Sequence, residues 1–315
     1  MSSTFEQFVR FTTDAAGLER TFRLVQSIAQ ILASYTLPFD ALLVVLAFLG
    51  APGRSAPDPA ATHAVLEALR ARLALARRYF RVFRFLESFQ AAQKLYGSLS
   101  TSSSAPSSSS PAPRWGRTDV WIDVFGRTFN GMYLLLEVST LADAQKIDGL
   151  AVWGPDLEGS VAVEGQRFWL FSLVCGVLAG LVRLVDVAMP YTPAPAPVGR
   201  GPADATEGHV GSGDGVGEKG QDGVDGRDAK TRGEEGGDGE QRIDQLVGRR
   251  EARSKIFGLG RRVVADALDI TLPGSAVGWV PVGTGTVGLA MFVTTVLTSM
   301  DIWERCGREV ASSKK

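Results

Sequence analysis

The chain of 315 residues has little of the chemistry that metal sites and disulfide frameworks need. It contains only two cysteines, Cys175 and Cys306, and two histidines, His63 and His209. No CxxC pair occurs, and neither histidine lies at metal-ligand spacing from another ligand, so the sequence predicts no zinc site and no disulfide framework. Motifs for a nucleophilic serine, a zinc protease or a phosphate-binding loop do not occur either. We therefore predict that the protein is not an enzyme and that it has no cofactor.

An excess of one charge sign is also missing. Lys and Arg together number 33 and Asp and Glu 34, which gives a net charge of −1. This balance does not favour a nucleic acid partner, and the locally basic run 249–262 has a single aromatic residue, Phe257. The N-terminal segment lacks the basic-then-apolar order of a secretory signal. We expect entry into a membrane to rely on internal segments.

Two stretches lack the apolar residues that a packed core requires. Residues 98–113 are almost all Ser, Ala, Thr and Pro, and residues 199–239 contain fourteen glycines among many acidic side chains. Such compositions cannot bury enough apolar surface to order themselves. We predict a disordered linker at 98–117 and a disordered, acidic, Gly-rich loop at 190–248. They divide the chain into helical regions at 1–97, 118–189 and 249–315.

The remaining segments have the periodicity of helices, and the predicted fold class is all-α. Residues 5–36 repeat apolar side chains at three- and four-residue spacing, and Pro38 is expected to end that helix. The apolar run 39–49 is too short to span a bilayer and fits a buried or interfacial helix. Residues 61–96 contain no Gly or Pro and predict one continuous helix, and residues 118–148 resume a helical pattern.

Two long apolar runs predict one or two transmembrane helices. The run 270–300 holds no charged side chain, which indicates a membrane helix at 275–300. The helix predicted at 168–189 is a weaker candidate, because Arg183 and Asp186 fall inside the length needed to span. These two residues are three apart and are expected to pair on one helix face.

The predicted helix 61–96 carries a basic stripe beside a broad apolar face. At about 100° per residue, four arginines fall within one narrow stripe: Arg70, Arg77, Arg81 and Arg84. Aromatic rings lie on the apolar face: Phe80, Phe83 and Phe89. We predict that these seven residues bind a bilayer, with the arginines at anionic headgroups and the rings at the acyl boundary. The alternative, a bundle core with solvated arginines, is about equally compatible with the periodicity.

Small residues cluster at the start of the last apolar run. They are Gly274, Gly278, Gly283, Gly285 and Gly288. Three of them form a GxGxxG pattern, but too little chain follows for a dinucleotide-binding sheet. We instead predict close helix packing in a membrane, with Gly274 and Gly278 as a GxxxG pair, and self-association of the chain.

The segment 77–89, which reads RRYFRVFRFLESF, resembles the peroxin 11 family of peroxisomal membrane proteins. That family typically has an R-x-x-R-x-x-[KR]-F-L-E helix at this place. Residues 14–26 and the Gly-rich last helix are also similar, and the long insertions resemble those of a fungal subfamily. The resemblance implies an integral protein of the peroxisomal membrane that elongates the membrane and promotes peroxisome fission, with help from dynamin-type machinery. We expect a cytosolic N-terminus.

Two other functions remain open at this point. A channel for small metabolites is the alternative, and its cue would be Arg183 and Asp186 lining a pore. A membrane-anchored scaffold without bending activity is the third interpretation. The number of membrane spans and the side of the loop 190–248 are also left open by the sequence.

Overall fold

A computed structural model describes residues 3–49, 58–101, 117–147, 149–189 and 235–313. Within these residues every regular element is a helix, which confirms the predicted all-α class. Most of the predicted linker 98–117 and loop 190–248 lies outside the described residues. The helices nevertheless extend into both, because one ends at Thr101 and another begins at Glu235.

Three helices form the N-terminal region, where one helix over 5–36 was predicted. They are α1 (Ser3–Thr13), α2 (Ala15–Ser34) and α3 (Thr36–Leu49). The single-helix prediction is wrong because Asp14 caps α2 by accepting a hydrogen bond from the backbone N–H of Gly17 at 3.3 Å. Pro38 lies in the first turn of α3, where a missing N–H costs nothing. The axes of α2 and α3 differ by 103°.

The predicted continuous helix 61–96 is divided into α4 (Pro59–Tyr79) and α5 (Arg84–Thr101). Asp58 caps α4 by accepting from the backbone N–H groups of Ala60 and Ala61. The intervening turn at 80–83 has hydrogen bonds between residues three apart, such as Arg84 N to Arg81 O at 3.0 Å. No Gly or Pro marks this break, so local propensity could not have predicted it.

The central region contains α6 (Thr118–Ser139), a one-turn α7 (Leu141–Ala144) and α8 (Pro155–Ala188). Asp143 organises the loop before α8, because its Oδ1 accepts from three consecutive backbone N–H groups at 3.0 Å. The membrane helix predicted at 168–189 lies almost wholly within α8, which is longer than predicted.

The C-terminal region contains α9 (Glu235–Asp269), α10 (Thr271–Val277) and α11 (Thr284–Ser312). Gly278 ends α10 with a positive φ of 83°, a conformation that glycine adopts without strain. Gly283 is the N-cap of α11. The helix predicted at 275–300 therefore begins at 284, because a glycine C-cap and Pro281 interrupt the apolar run.

Among the described residues, two helices are long and apolar enough to cross a membrane, α8 and α11. A third span is possible if the bent pair α2 and α3 acts as one. These helices belong to a continuous series of packed helices. In that series α2 packs against α4 and α11, α5 against α6, α6 against α8, α8 against α9, and α9 against α11.

Three of the five glycines predicted to pack helices lie close to other groups of the same chain. A Cβ on Gly285 would lie 2.8 Å from the Tyr35 ring, and one on Gly288 would lie 3.1 Å from Gln30, so α11 approaches α2 closely. Gly274 is equally tight against Val280, whereas a Cβ on Gly278 or Gly283 would meet open space. The proposed GxxxG pair of Gly274 and Gly278 is therefore wrong, because the second glycine is a helix end rather than a packing surface.

A GxxxG pair that the sequence reading missed lies in α8. A Cβ on Gly176 would lie 2.8 Å from the carboxylate of Asp266, and one on Gly180 would lie 2.4 Å from Val263. Both contacts are with α9. Because a single turn separates the two glycines, they form one smooth strip that brings the backbone of α8 close to α9.

Changing Gly285 to Leu should destabilise the fold, because the added side chain has no space against Tyr35 and Ser34. Overpacking of this kind costs about 1–3 kcal/mol. The matched control is Gly283→Ser, since that position is open and serine is a favoured N-cap. Thermal unfolding of the full chain in detergent measures both, and equal melting temperatures for Gly285→Leu and the parent would contradict the packing of α11 on α2.

Candidate functional site

The arginine-rich segment 77–84 lies at a junction of three helices. Arg77 is only 8% exposed. Its Nε donates to Glu19 Oε1 at 3.0 Å, and its Nη1 donates to Gln26 Oε1 at 2.8 Å. Because both acceptors belong to α2, this one guanidinium joins the end of α4 to the N-terminal region.

Arg81 makes the corresponding connection to α6. Its Nη2 donates to Glu137 Oε1 at 2.8 Å and its Nη1 donates to the Tyr133 hydroxyl at 3.2 Å. The Tyr133 hydroxyl in turn donates to Glu137 Oε1 at 2.9 Å. Burial raises the pKa of Tyr133 to about 12, so the hydroxyl keeps its proton and remains a donor. The Tyr133 ring stacks on Trp169 of α8, with ring centroids 5.3 Å apart.

A second buried ion pair lies one turn further along α2. Arg23 is 4% exposed, and its Nη2 lies 2.5 Å from Asp269 Oδ1 of α9. The hydroxyl of Thr294 on α11 donates to the same carboxylate oxygen at 2.6 Å. Glu19 and Arg23 are four residues apart and share one helix face. That face of α2 therefore holds α4, α9 and α11 together through charged groups.

The buried face of α2 is its polar face. The buried residues are Gly17, Glu19, Arg23, Ser27, Ala29 and Gln30. The large apolar side chains Val25 and Ile28 are exposed. α11 shares part of this pattern: Thr294 and Thr295 are buried together with Met291 and Val310, whereas Leu289 and Val296 are about half exposed. In water this arrangement would leave large apolar side chains exposed to solvent. In the hydrocarbon of a bilayer, by contrast, the apolar side chains face the acyl chains and the polar side chains are shielded from them.

α3 is the most exposed apolar element. Apart from Thr36 and Asp40 its side chains are apolar on all sides of the helix. Leu37 and Phe48 are 83% and 87% exposed. The helix contacts α2, and Phe39 lies edge-on to His63 of α4 with centroids 6.1 Å apart. Most of its surface is thus available to an apolar environment.

The predicted membrane-binding residues are not on one surface. Among the arginines, Arg70 pairs with Glu67 on the outside of α4, Arg77 and Arg81 are committed to internal partners, and Arg84 is exposed. The prediction of a single arginine stripe is wrong, because the turn at 80–83 interrupts the helix. Arg77 binds Glu19 of α2, and Arg81 binds Glu137 of α6. Binding of these arginines to lipid stays a prediction.

The three aromatic residues also differ in their surroundings. Phe83 is 76% exposed. Phe80 is partly covered by Phe22, with ring centroids 5.5 Å apart. Phe89 packs against α6, so closely that a Cβ on Gly131 would lie 2.7 Å from its ring. Phe89 is therefore a packing residue within the bundle, which corrects its placement on an outer apolar face.

Arg183 pairs with α6 and not with Asp186. Its Nε lies 3.1 Å from Asp119 Oδ2, and its Nη2 lies 2.5 Å from Asp123 Oδ2. The expected pair within α8 is wrong because the close packing of α6 on α8 presents two carboxylates to one guanidinium, which satisfies more of its donors than a single neighbour would.

Two adjoining cavities lie beside the junction, each of about 370 Å³. The first lies among α5, α6, α8 and α9, and the second among α2, α5, α9 and α11. Arg84, Arg262 and Asp266 line both. Within the part of the chain that the structure describes, no group of His, Cys, Asp and Glu is placed to hold a metal ion.

Comparison with known proteins gives one match. The family model described as peroxisomal biogenesis factor 11 (PEX11) matches residues 47–303. No curated protein and no solved structure matches the chain. The matched range begins near the end of α3. It includes Arg84 of α5 and Arg262 of α9, which line both cavities.

Removing the acceptor of the buried Arg77 pair should destabilise the protein strongly. Glu19→Gln leaves a buried guanidinium without its counter-charge, which costs about 3–5 kcal/mol. The double change Glu19→Leu with Arg77→Met should recover most of that loss, because it removes both charges together. Glu67→Gln is the control, since its pair with Arg70 is at the surface and contributes at most about 1 kcal/mol. Chemical unfolding in detergent measures all three, and a Glu19→Gln protein as stable as the control would contradict the role of the junction.

Proposed function

Because the chain belongs to the PEX11 family of peroxisomal biogenesis factors, we propose that it is an integral protein of the peroxisomal membrane that elongates this membrane and promotes peroxisome fission. The family membership supports a role in peroxisome biogenesis. The single observation that carries membrane integration is the inverted burial of α2, where charged and polar groups lie inside and Val25 and Ile28 lie outside.

Membrane bending requires apolar volume in one leaflet, and α3 fits this requirement best. The helix has 14 residues, so it is about 21 Å long. The hydrocarbon core is about 30 Å thick, so α3 alone enters the bilayer without crossing it. Its bend of 103° from α2 gives it a direction different from that of the helix before it. Volume added to one leaflet expands that leaflet and favours positive curvature.

The first turns of α4 and the turn at 80–83 add a second apolar surface. Val65 is 65% exposed, and Phe83 is the most exposed of the aromatic residues predicted to bind lipid. Arg84 is exposed beside Phe83 and can meet an anionic headgroup. Arg77 and Arg81 act differently in this proposal: they hold α4 and α6 in place, so the inserted elements are attached to a rigid bundle.

Serine at both Val44 and Phe48 should reduce tubule formation by the full chain on anionic liposomes. Each change removes apolar burial of about 2 kcal/mol, while α8 and α11 keep the protein in the membrane. The matched control is serine at Leu150 and Val152, two exposed apolar residues of the loop before α8. Phe83→Ser and Arg84→Glu test the second surface in the same assay. Tubulation by the Val44 and Phe48 variant at the parent's level, at equal protein-to-lipid ratio, would show that α3 is not the wedge.

Location, topology and partners follow from the family resemblance and are part of the proposal. A fluorescent fusion should coincide with a peroxisomal marker, and protease added to intact organelles should remove an N-terminal epitope. Self-association and recruitment of a dynamin-type fission machinery are proposed on the same ground. Gly285 and Gly288 contact α2 of their own chain. We therefore expect a crosslinked dimer to persist in variants whose substitutions leave the packing of α11 on α2 intact.

The channel alternative rested on Arg183 and Asp186 lining a pore, and the pairing of Arg183 with Asp119 and Asp123 gives it less support. Single-channel recording of the reconstituted chain distinguishes the two functions. A protein that tubulates liposomes but conducts no current supports remodelling alone.

A further inference from the structure

The cavity among α2, α5, α9 and α11 gathers more positive charge than its carboxylates neutralise. Four arginines line it: Arg20, Arg84, Arg261 and Arg262. Arg261 is paired with Asp301. Arg20 lies 3.7 Å from Glu19, but that carboxylate also holds Arg77 at 2.9 Å. Glu19 is therefore shared between two guanidinium groups and only partly neutralises each.

Arg84 and Arg262 have no carboxylate within ion-pair distance among the described residues. The acid that faces them without an ion pair of its own is Asp266. Burial raises the pKa of Asp266 to about 6, although the nearby Arg262 opposes the shift. Like charges also meet here: burial is the main cause that lowers the pKa of Arg20, and the nearby Arg23 and Arg84 lower it further. An anion placed among Arg20, Arg84 and Arg262 would relieve this repulsion.

The arginine motif of the sequence is used unequally. In the R-x-x-R-x-x-R-F-L-E segment, Arg78 and Arg81 both approach Glu137, at 3.9 and 2.8 Å. The third arginine, Arg84, forms no ion pair with a carboxylate among the described residues and lines both cavities. The internal ion pairs thus account for the first two arginines of the motif but leave the third without a structural partner.

The position of the cavity along α11 matches the depth expected of a lipid headgroup. On α11 it is lined by Leu297, Thr298, Asp301 and Ile302. The charge-free run 270–300 ends directly before Asp301, so this part of α11 lies where an apolar span reaches the interface. The neighbouring cavity includes Trp169 and Ser172 of α8, close to the start of that helix's own apolar run. The α11 span therefore places its side of the cavity at the level of lipid phosphates.

We propose that Arg84 and Arg262, with Arg20 at the wall, form a binding site for a phosphate-bearing anion, either a phospholipid headgroup or a soluble phosphate. Guanidinium groups bind phosphate by paired, charge-assisted hydrogen bonds, and donors from α2, α5 and α9 surround the anion on three sides. The site is separate from the apolar wedge of α3 and shares only Arg84 with the second surface proposed to meet the membrane.

The test uses the full chain in detergent and in nanodiscs, with two probes. Inorganic phosphate is titrated by calorimetry, and binding of a fluorescent phosphatidic acid is measured in phosphatidylcholine nanodiscs. Arg84→Gln or Arg262→Gln should weaken binding by about tenfold or more, as expected for the loss of a charge-assisted hydrogen bond. Arg72→Gln is the matched control, because Arg72 is exposed on α4 and lines neither cavity, and it should change binding less than twofold. Asp266→Asn should strengthen binding, because it removes the facing negative charge.

The outcomes separate the two sources of phosphate. Binding of phosphatidic acid alone assigns the site to a lipid headgroup, and binding of inorganic phosphate assigns it to a soluble phosphate. Either result supports the proposal if Arg84→Gln and Arg262→Gln weaken binding while their melting temperatures stay close to that of Arg72→Gln. If an arginine variant fails to fold, Asp266→Asn still decides, since a structural role alone does not strengthen binding. No binding of either probe, or equal binding by all variants, would overturn the proposal, whatever the liposome tubulation shows.

Discussion

The structure depends on two charged side chains that α2 buries one turn apart. Glu19 holds Arg77 of α4, and Arg23 holds Asp269 of α9, to which Thr294 of α11 also donates. Desolvating these groups is expensive unless each finds its counter-charge, so the pairs admit few alternative arrangements of the four helices. The cost of burying them is also the reason that α4 ends where it does: Arg77 and Arg81 must reach carboxylates on different helices, and the turn at 80–83 makes both reachable.

Because the charged and polar groups of α2 pair inside the bundle, the outward faces of α2 and α11 carry apolar side chains. α2 and α11 turn Val25, Ile28, Leu289 and Val296 outward. α3 adds an exposed apolar helix that is too short to span. In a bilayer this surface is solvated by acyl chains, and helix association relies on close backbone contact and polar pairs rather than on the hydrophobic effect. The glycines fit this requirement: Gly285 and Gly288 admit α2, and Gly176 and Gly180 admit α9.

Membrane remodelling and anion binding, as proposed, use different parts of this arrangement and share Arg84. The bundle fixes the direction of α3, and rigid attachment lets an inserted helix transmit its displacement to the surrounding leaflet. The cavity at Arg84 and Arg262 lies next to α9 and α11. The R-x-x-R-x-x-R motif connects the two: Arg78 and Arg81 fasten the turn to Glu137, and Arg84 remains free to face an anion.

The sequence by itself determined the fold class, the apolar segment of α8 and the family, because helix periodicity, run length and the arginine motif are local properties. It also contained the glycines that permit close packing. Tertiary structure decided the partners. Periodicity placed Arg77 and Phe89 on surfaces, yet Glu19 and Gly131, distant in sequence, place them inside. Likewise Arg183 pairs with Asp119 and Asp123 of α6 and not with its neighbour Asp186, since which charges meet depends on how helices pack and not on their own spacing.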